Sequence, residues 1–400
     1  MRLIIITITG VVFLGFAALQ SARMALADAL YQKNTLESVQ AAVRMDPANA
    51  SYHSLLSEHQ SSAGLDSSGQ LQAAVQLSQH EARYMNLLGF RAEVEQDYAA
   101  AERALLGTAK MDVGFRPRWA LMNFYFRRKN DSQFWLWARR SLARSYGDLT
   151  PVFRLCWAQT DSGRTIEYAL PDNAGIRLRY LQYLNTEHPP TEADHIAYQV
   201  AEEATDSTGL DAALAYCSRA ALNNPSAAVS VWNILCTRRL MPYTPLDATT
   251  GPVLTNGRFA FKLDGKGFNW RLRGFGGVTV NSGPETGLIL GLDGSQPEIF
   301  DLLEQPVPLD PGRSYRLTFT YRVAPETTSS GLHWWLEGTD SSVIAASGEL
   351  NGSGSREQSL TFASGPHRVG VLRLGFRRKA GTVRWSGTAT ISQVDIVPLP

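Results

Sequence analysis

VLTNGRFAFKLDGKGFNWRL, Val253–Leu272, separates two halves of different character. Upstream of it, apolar residues recur at helical intervals. Downstream, they alternate with polar ones at the period of a strand. The stretch is preceded by MPYTPLDATTGPVLTNG, Met241–Gly257, which is rich in Pro, Thr and Gly and marks a boundary too short to be a long linker. The chain is therefore expected to be α first and all-β second. The expected segments are residues 1–27 as a signal anchor or signal peptide, 28–245 as a helical repeat domain and 246–400 as a β-sandwich.

In the helical half, AVRMDPANASYHSLL (Ala42–Leu56) aligns without gaps on AVQLSQHEARYMNLL (Ala74–Leu88), which sets Tyr84 32 residues after Tyr52. KMDVGFRPRWALM (Lys110–Met122) continues the series with Trp119, 35 residues on, and Phe153 follows after a further 34. Repeats of this length, each a helix–turn–helix, predict an α-solenoid: no single pair can bury its apolar face, so neighbours stack and leave a groove. FYFRRKNDSQFWLWARRSLARS (Phe124–Ser145) joins aromatic residues to arginines. It reads either as an interface anchor or as helix core with a solvated arginine face.

At the amino terminus, Arg2 precedes the uncharged run Leu3–Leu19. Seventeen residues are at the short end for a membrane span, and one basic residue before an apolar run also fits a secretory signal, with Ala25-Leu26-Ala27 as a small-residue cleavage site. An uncleaved anchor, a cleaved signal and a buried soluble helix all remain open. The first two send the rest of the chain across the membrane, to a periplasmic or secreted location.

After the boundary, RSYRLTFTYRVA (Arg313–Ala324) places Tyr315, Leu317, Phe319, Tyr321 and Val323 on one face and arginines and threonines on the other. This is the pattern of a half-buried antiparallel strand. Several further runs of the kind in about 150 residues predict a two-sheet jelly roll. In GLHWWLEG, Leu332, Trp334 and Leu336 share one face and His333, Trp335 and Glu337 the other. Trp335 is then expected to be exposed, near Arg316, Arg322 or Arg373. Trp270 and Trp385 are further candidates near strand ends. The competing reading has all four tryptophans in the core.

The chain of 400 residues has 38 basic and 37 acidic side chains, a net charge of +1, which argues against a nucleic-acid partner. Its three cysteines, Cys156, Cys217 and Cys236, lie among apolar neighbours and read as buried thiols. A Cys217–Cys236 disulfide would need their helices to pack together. There is no G-x-x-x-x-G-K-[ST], H-E-x-x-H or G-x-S-x-G motif. Leu292-Asp293-Gly294 and Gly265-Lys266-Gly267 read as turns rather than phosphate loops.

The helical repeats, with Asp46-Pro47 and Asn49 at a turn and small residues at Ala99, Ala100, Ala101 and Ala104, resemble the tetratricopeptide class. Residues 253–397 resemble carbohydrate-binding modules of the 4/9 type, within the galactose-binding-like jelly rolls. LTNGRFAF is similar to their opening strand, GFNW to the segment that follows, VPLDPGRSYRLTFTYRV to their strand–Pro-Gly–strand core, and ISQVDIVPL to their final strand. The resemblance implies a non-enzymatic, membrane-anchored scaffold whose repeats dock a protein partner and whose jelly roll contacts glycan, in bacterial exopolysaccharide or cell-envelope polysaccharide assembly. Trp335, His333, Arg316, Arg322, Trp270 and Trp385 are its candidate sugar-binding residues. It implies no catalytic cofactor, but a structural calcium to which Asp395 contributes; Arg258 stands where the family commonly has an acidic residue. The alternative is a protein–protein adaptor whose jelly roll binds no sugar. A third reading is a polysaccharide-modifying enzyme, marked by a pair of facing acids in a cleft.

Overall fold

The structure is a computed structural model describing residues 2–400, with side chains from residue 10 onward. The chain forms two compact units, Met1–Gln159 and Thr160–Pro400.

The first unit is helical: α1 (Arg2–Gln32), α2 (Leu36–Met45), α3 (Ala50–Ser62), α4 (Ser68–Leu77), α5 (Ala82–Val94), α6 (Tyr98–Met111), α7 (Phe115–Arg127), α8 (Asp131–Leu142) and α9 (Thr150–Gln159). Each helix packs on its neighbours in sequence, as a solenoid of stacked helical repeats requires. Short polar residues start the helices by capping orphan amide groups. Asn49 accepts from Ser51 N, Asp97 from Ala100 N and Asn130 from Gln133 N. The repeated aromatics hold equivalent places, with Tyr52 in α3 and Tyr84 in α5 both buried, and a Ser51–Tyr84 hydroxyl contact of 3.1 Å ties successive repeats. Ala101 and Ala104 are buried where α6 meets α5, and a Cβ on Gly89 would lie 2.8 Å from Leu105 Cγ. Phe124, Phe134 and Trp137 fill the interior, while Arg127 pairs with Glu93 and Arg140 lies over the Trp137 ring. The Phe124–Ser145 segment thus places Phe124, Phe134 and Trp137 in the core, with Arg127 and Arg140 engaged at its surface.

Helix α1 runs unbroken from the apolar run into the first repeat. Its residues 10–32 are apolar and long enough to cross a membrane, and Val11–Leu14 are exposed. Ala27, the last residue of the small-residue site, is fully buried against Ala42 and Tyr52, and the Tyr52 hydroxyl donates to the Asp28 carboxylate. Cutting after Ala27 would remove a packed residue of the first repeat.

The second unit opens with α10 (Gly163–Ala169), α11 (Ala174–Glu187), α12 (Asp194–Glu203), α13 (Ser207–Ala220) and α14 (Pro225–Thr237). The strands follow: β1 (Arg271–Leu272), β2 (Val278–Gly283), β3 (Gly287–Asp293), β4 (Ile299–Pro308), β5 (Ser314–Ala324), β6 (Leu332–Gly338), β7 (Val343–Ala346), β8 (Ser355–Ala363), β9 (Val369–Arg377) and β10 (Ser386–Pro398). They form two antiparallel sheets, β1-β4-β9-β6-β7 and β2-β3-β10-β5-β8. Leu317, Phe319 and Tyr321 of one sheet and Leu332, Trp334, Leu372 and Phe376 of the other belong to one apolar core. This is the sandwich expected from the alternating pattern.

LTNGRFAF was expected as an opening strand, and the structure corrects this: residues 253–268 pair in no ladder. Asn256 and Phe259 sit at φ of 51° and 56°, which breaks an extended chain. The segment is held instead by the buried Gln305 side chain, which donates to Thr255 O at 3.1 Å, and by Val394 N donating to Gly257 O at 2.9 Å. Val253, Leu254 and Phe259 close one end of the sandwich core.

The change from helix to strand lies within the second unit, because the last helices pack on the sandwich's first loop. Gly267 N donates to Ser218 Oγ at 2.7 Å, and Lys266 Nζ meets Asp211 at 2.7 Å. The Trp232 ring is stacked on Tyr243 and stands edge-on to Phe268. At Gly267, with φ of 58°, a Cβ would lie 2.6 Å from Trp232 Cζ3. Gly267→Ala is expected to lower the unfolding free energy by about 2 to 4 kcal/mol, through left-handed strain and overpacking, in urea denaturation followed by tryptophan fluorescence. All three cysteines are free and buried. Burial pushes the Cys156 and Cys236 thiols up to about 12, and Cys217 upward as well. Iodoacetamide at pH 8 is therefore expected to label no thiol in the folded chain and all three in denaturant, read by mass spectrometry.

Candidate functional site

Successive residues of a strand point to opposite sides, so the face of β1-β4-β9-β6-β7 turned away from the core takes every second side chain. The register sets Arg271, Glu304, Arg373, Trp335 and Ala346 in one row across the five strands. A second row sets Asp301 beside Gly375 and His333. The result is an outer face of aromatic and charged groups, where the opposite face is apolar apart from the buried Gln305.

Trp335 lies on this face as expected, but it is not an exposed platform: it is 4% exposed. Its ring reaches across the bare backbone of Gly375, where a Cβ would come 2.4 Å from Cη2. The Arg377 guanidinium covers the ring at 4.4 Å from its centroid, and His333 flanks it at 4.8 Å. The indole Nε1 donates to Glu337 Oε1 at 3.1 Å. Arg377 is itself held by Asp301, at 2.9 Å. Burial chiefly, with the Arg377 charge adding to it, holds His333 below the ordinary histidine value, so it is neutral at pH 7.

The other expected partners are elsewhere. Arg316 and Arg322 are exposed on β5, in the opposite sheet, and do not join Trp335. Arg373 does, as its direct cross-strand partner. Trp270 is fully buried, with its ring 5.7 Å from Trp334 and its Nε1 donating to Asn256 O at 3.2 Å. Trp385 is 8% exposed and packs in the sandwich core. Both are core tryptophans, each on the residue that leads into a strand, β1 or β10.

Asp395 is half-buried on β10, opposite Thr318, and receives Gln393 Nε2 at 3.3 Å. Burial raises it above the usual carboxylate range, against Gln393 and the Arg258 charge. A calcium ion needs several hard oxygen ligands. Asp395 stands near a cation, and among the described residues no group of three or more His, Cys, Asp or Glu side chains is placed to hold a metal. These residues do not fit a calcium site.

A cleft that sequence reasoning missed opens at the β1 side of the same face. It has a volume of about 250 Å³ and is lined by Arg271, Arg273, Glu304, Arg373, Val371 and Pro306, with Leu222 from the turn after α13. The Glu304 side chain is 9% exposed. It accepts from Arg271 Nη1 at 3.2 Å and from Arg273 Nη2 at 3.0 and 3.1 Å, with Arg373 Nε 3.5 Å away. Burial pushes the Glu304 carboxyl up, but the bonds and charges of Arg273 and Arg271 outweigh it and leave it below its ordinary value. Arg373 is drawn the other way by an ion pair with Glu337. β1 is too short to read as a strand, and β4 is bulged between Asp301 and Leu303 and does not alternate cleanly.

A larger cleft of about 490 Å³ lies among α10, α12 and α14, with Glu167, Glu192, Asp194 and His195 in its wall. Each acid already has a partner. His195 Nδ1 and Glu167 are 2.5 Å apart, Gly163 N donates to Glu192 at 2.9 Å, and Tyr216 and Asn224 donate to Asp194.

No protein-family model matches this sequence, and no curated protein matches it. Among solved structures, the chain is similar to a CBM4 structure at 13% identity, over 36% of this chain and 98% of that one, with a TM-score of 0.29. It is similar to the second N-terminal cellulose-binding domain of Cellulomonas fimi β-1,4-glucanase C at 21% identity, over 39% and 98%, with a TM-score of 0.26. It is also similar to Pseudomonas aeruginosa pilF at 17% identity, over 57% and 94%, with a TM-score of 0.28.

A covered Trp335 has a measurable consequence. Trp335→Ala is expected to destabilise the chain by about 3 kcal/mol or more, as loss of a buried ring does, whereas an exposed ring would cost under about 0.5 kcal/mol. Thermal unfolding by circular dichroism separates the two.

Proposed function

We propose that this chain is a non-enzymatic scaffold and binding protein, held at a membrane by α1, whose helical repeats dock a protein partner and whose sandwich contacts glycan. The observation that carries the glycan reading is the cleft at Arg271, Arg273 and Glu304. It joins fixed polar groups, which suit sugar hydroxyls, to the apolar wall of Val371 and Pro306, which suits the C–H face of a sugar ring. The repeats support a protein partner through Leu87, Phe90 and Val94, which form an exposed apolar stripe along α5. A role in exopolysaccharide or cell-envelope polysaccharide assembly is what the resemblance to carbohydrate-binding modules implies, and the apolar α1 supports placing the bulk of the chain outside the cytoplasm.

A second reading, a protein–protein adaptor with a purely structural sandwich, is favoured by the cover over Trp335. The rival enzymatic reading needs a pair of free facing acids. The acids in the larger cleft are instead engaged by neighbouring side chains and backbone.

The test is a polysaccharide panel presented to the full-length chain in detergent micelles, with binding read by microscale thermophoresis. Retention of one polysaccharide class, weakened at least tenfold by Arg271→Gln, is the expected result. A folded chain that binds none of the panel sinks the glycan reading and leaves the adaptor.

A further inference from the structure

We propose that the cleft beside β1 is an anion site and that the glycan it takes is acidic, carrying a carboxylate on its sugar ring. The inference rests on the reading of the sandwich as glycan-binding and adds the chemical class of the sugar.

The argument is one of charge and donor count. Arg271 and Arg273 share a single carboxylate, Glu304. Arg373, the third guanidinium in the wall, is drawn to Glu337 on the far side of the row. One positive charge at Arg271 and Arg273 is therefore left without a counter-charge. A guanidinium carries five N–H donors. Arg271 and Arg273 each engage Glu304 through one terminal nitrogen, and their side chains are 55% and 52% exposed. Two partly used, solvent-facing forks over a buried carboxylate form a ready-made cradle for a second carboxylate, which the planar fork meets through paired hydrogen bonds.

A deficit of one charge fits a monoanion better than a phosphate dianion. The rest of the wall speaks for a sugar rather than a bare ion. Val371, Pro306 and the 42%-exposed Leu222 offer an apolar surface beside the cations. The volume of about 250 Å³ is below that of pockets that enclose drug-sized ligands, so the cleft receives one unit of a longer chain. Its shape is pre-set. The Gly265–Gly267 loop on its rim is fastened to α13 by Gly267 N and Ser218 Oγ, and to Asp211 by Lys266.

The experiment is calorimetric titration of the full-length chain in detergent micelles with tetramers of galacturonate, mannuronate and glucuronate. Their methyl esters, cellotetraose, sodium acetate and poly-L-glutamate are the companion probes. The expected result is that at least one uronate tetramer binds, and that it weakens tenfold or more on esterification and in Arg273→Gln. It is also expected to tighten severalfold in Glu304→Gln, where the internal competitor is gone. The two variants move affinity in opposite directions, so a general loss of fold cannot imitate the pattern. Equal binding of acid and ester, unchanged in both variants, overturns the anion site while the glycan reading stands. Failure of every oligosaccharide, neutral or acidic, overturns the glycan reading and the inference with it. Acetate binding as tightly as the tetramers leaves a free-anion site and overturns the sugar assignment. Binding of poly-L-glutamate alone overturns it too, and assigns the cleft to an acidic protein segment.

Discussion

The contact between Gly267 and Trp232 sets much of what the second unit can do. A glycine at left-handed φ lets the DGKG loop lie against the indole of the last helix. With the loop seated there, Asn269 can bond Lys262 O and Asp264, and Trp270 turns into the core. Arg271 then emerges on the outer face in register with Glu304. The helices and the sandwich in this unit are joined by interdigitated side chains rather than by a linker, so the cleft at the junction has fixed walls.

The two sheets divide the polar work unequally. One presents mainly Thr, Ser and isolated arginines outward along β5 and β10, while the other carries Asp301, Glu304, Glu337 and four arginines in a continuous network. A buried carboxylate is unfavourable unless its charge is matched, and Glu304 is matched more than once over. Such an arrangement holds Trp335 flat under Arg377, because the arginine is anchored from below by Asp301. The face is rigid and charged, in contrast to the open aromatic surface that the Trp-Trp pair suggested.

Much of the architecture was legible in the residues. The 32- and 35-residue spacings of Tyr52, Tyr84 and Trp119 marked stacked helical pairs, and the alternation in Arg313–Ala324 marked a strand with its inner face correctly assigned. The parity of Leu332, Trp334 and Leu336 was also right, since those three do face the core. Exposure of Trp335 was not readable, because it depends on Gly375 and Arg377, which lie about forty residues away and meet it only through strand pairing. Arg316 and Arg322 were placed near it by chemistry alone, and sheet order separates them. The opening strand failed for a local reason: Asn256 and Phe259 adopt left-handed backbone, which an apolar pattern does not reveal. The cleft was hidden because its walls come from a two-residue strand, a bulged strand and a helix turn.

The unbroken course of α1 has a mechanical consequence. Thirty-one residues at 1.5 Å each give a rod of about 46 Å, with Tyr52 and Asp28 clamping its carboxyl-terminal end to the first repeat. No proline interrupts it. A torque or tilt applied to its apolar half is passed directly to α2 and α3 rather than absorbed by a swivel, so whatever holds that half also sets the bearing of the first repeat.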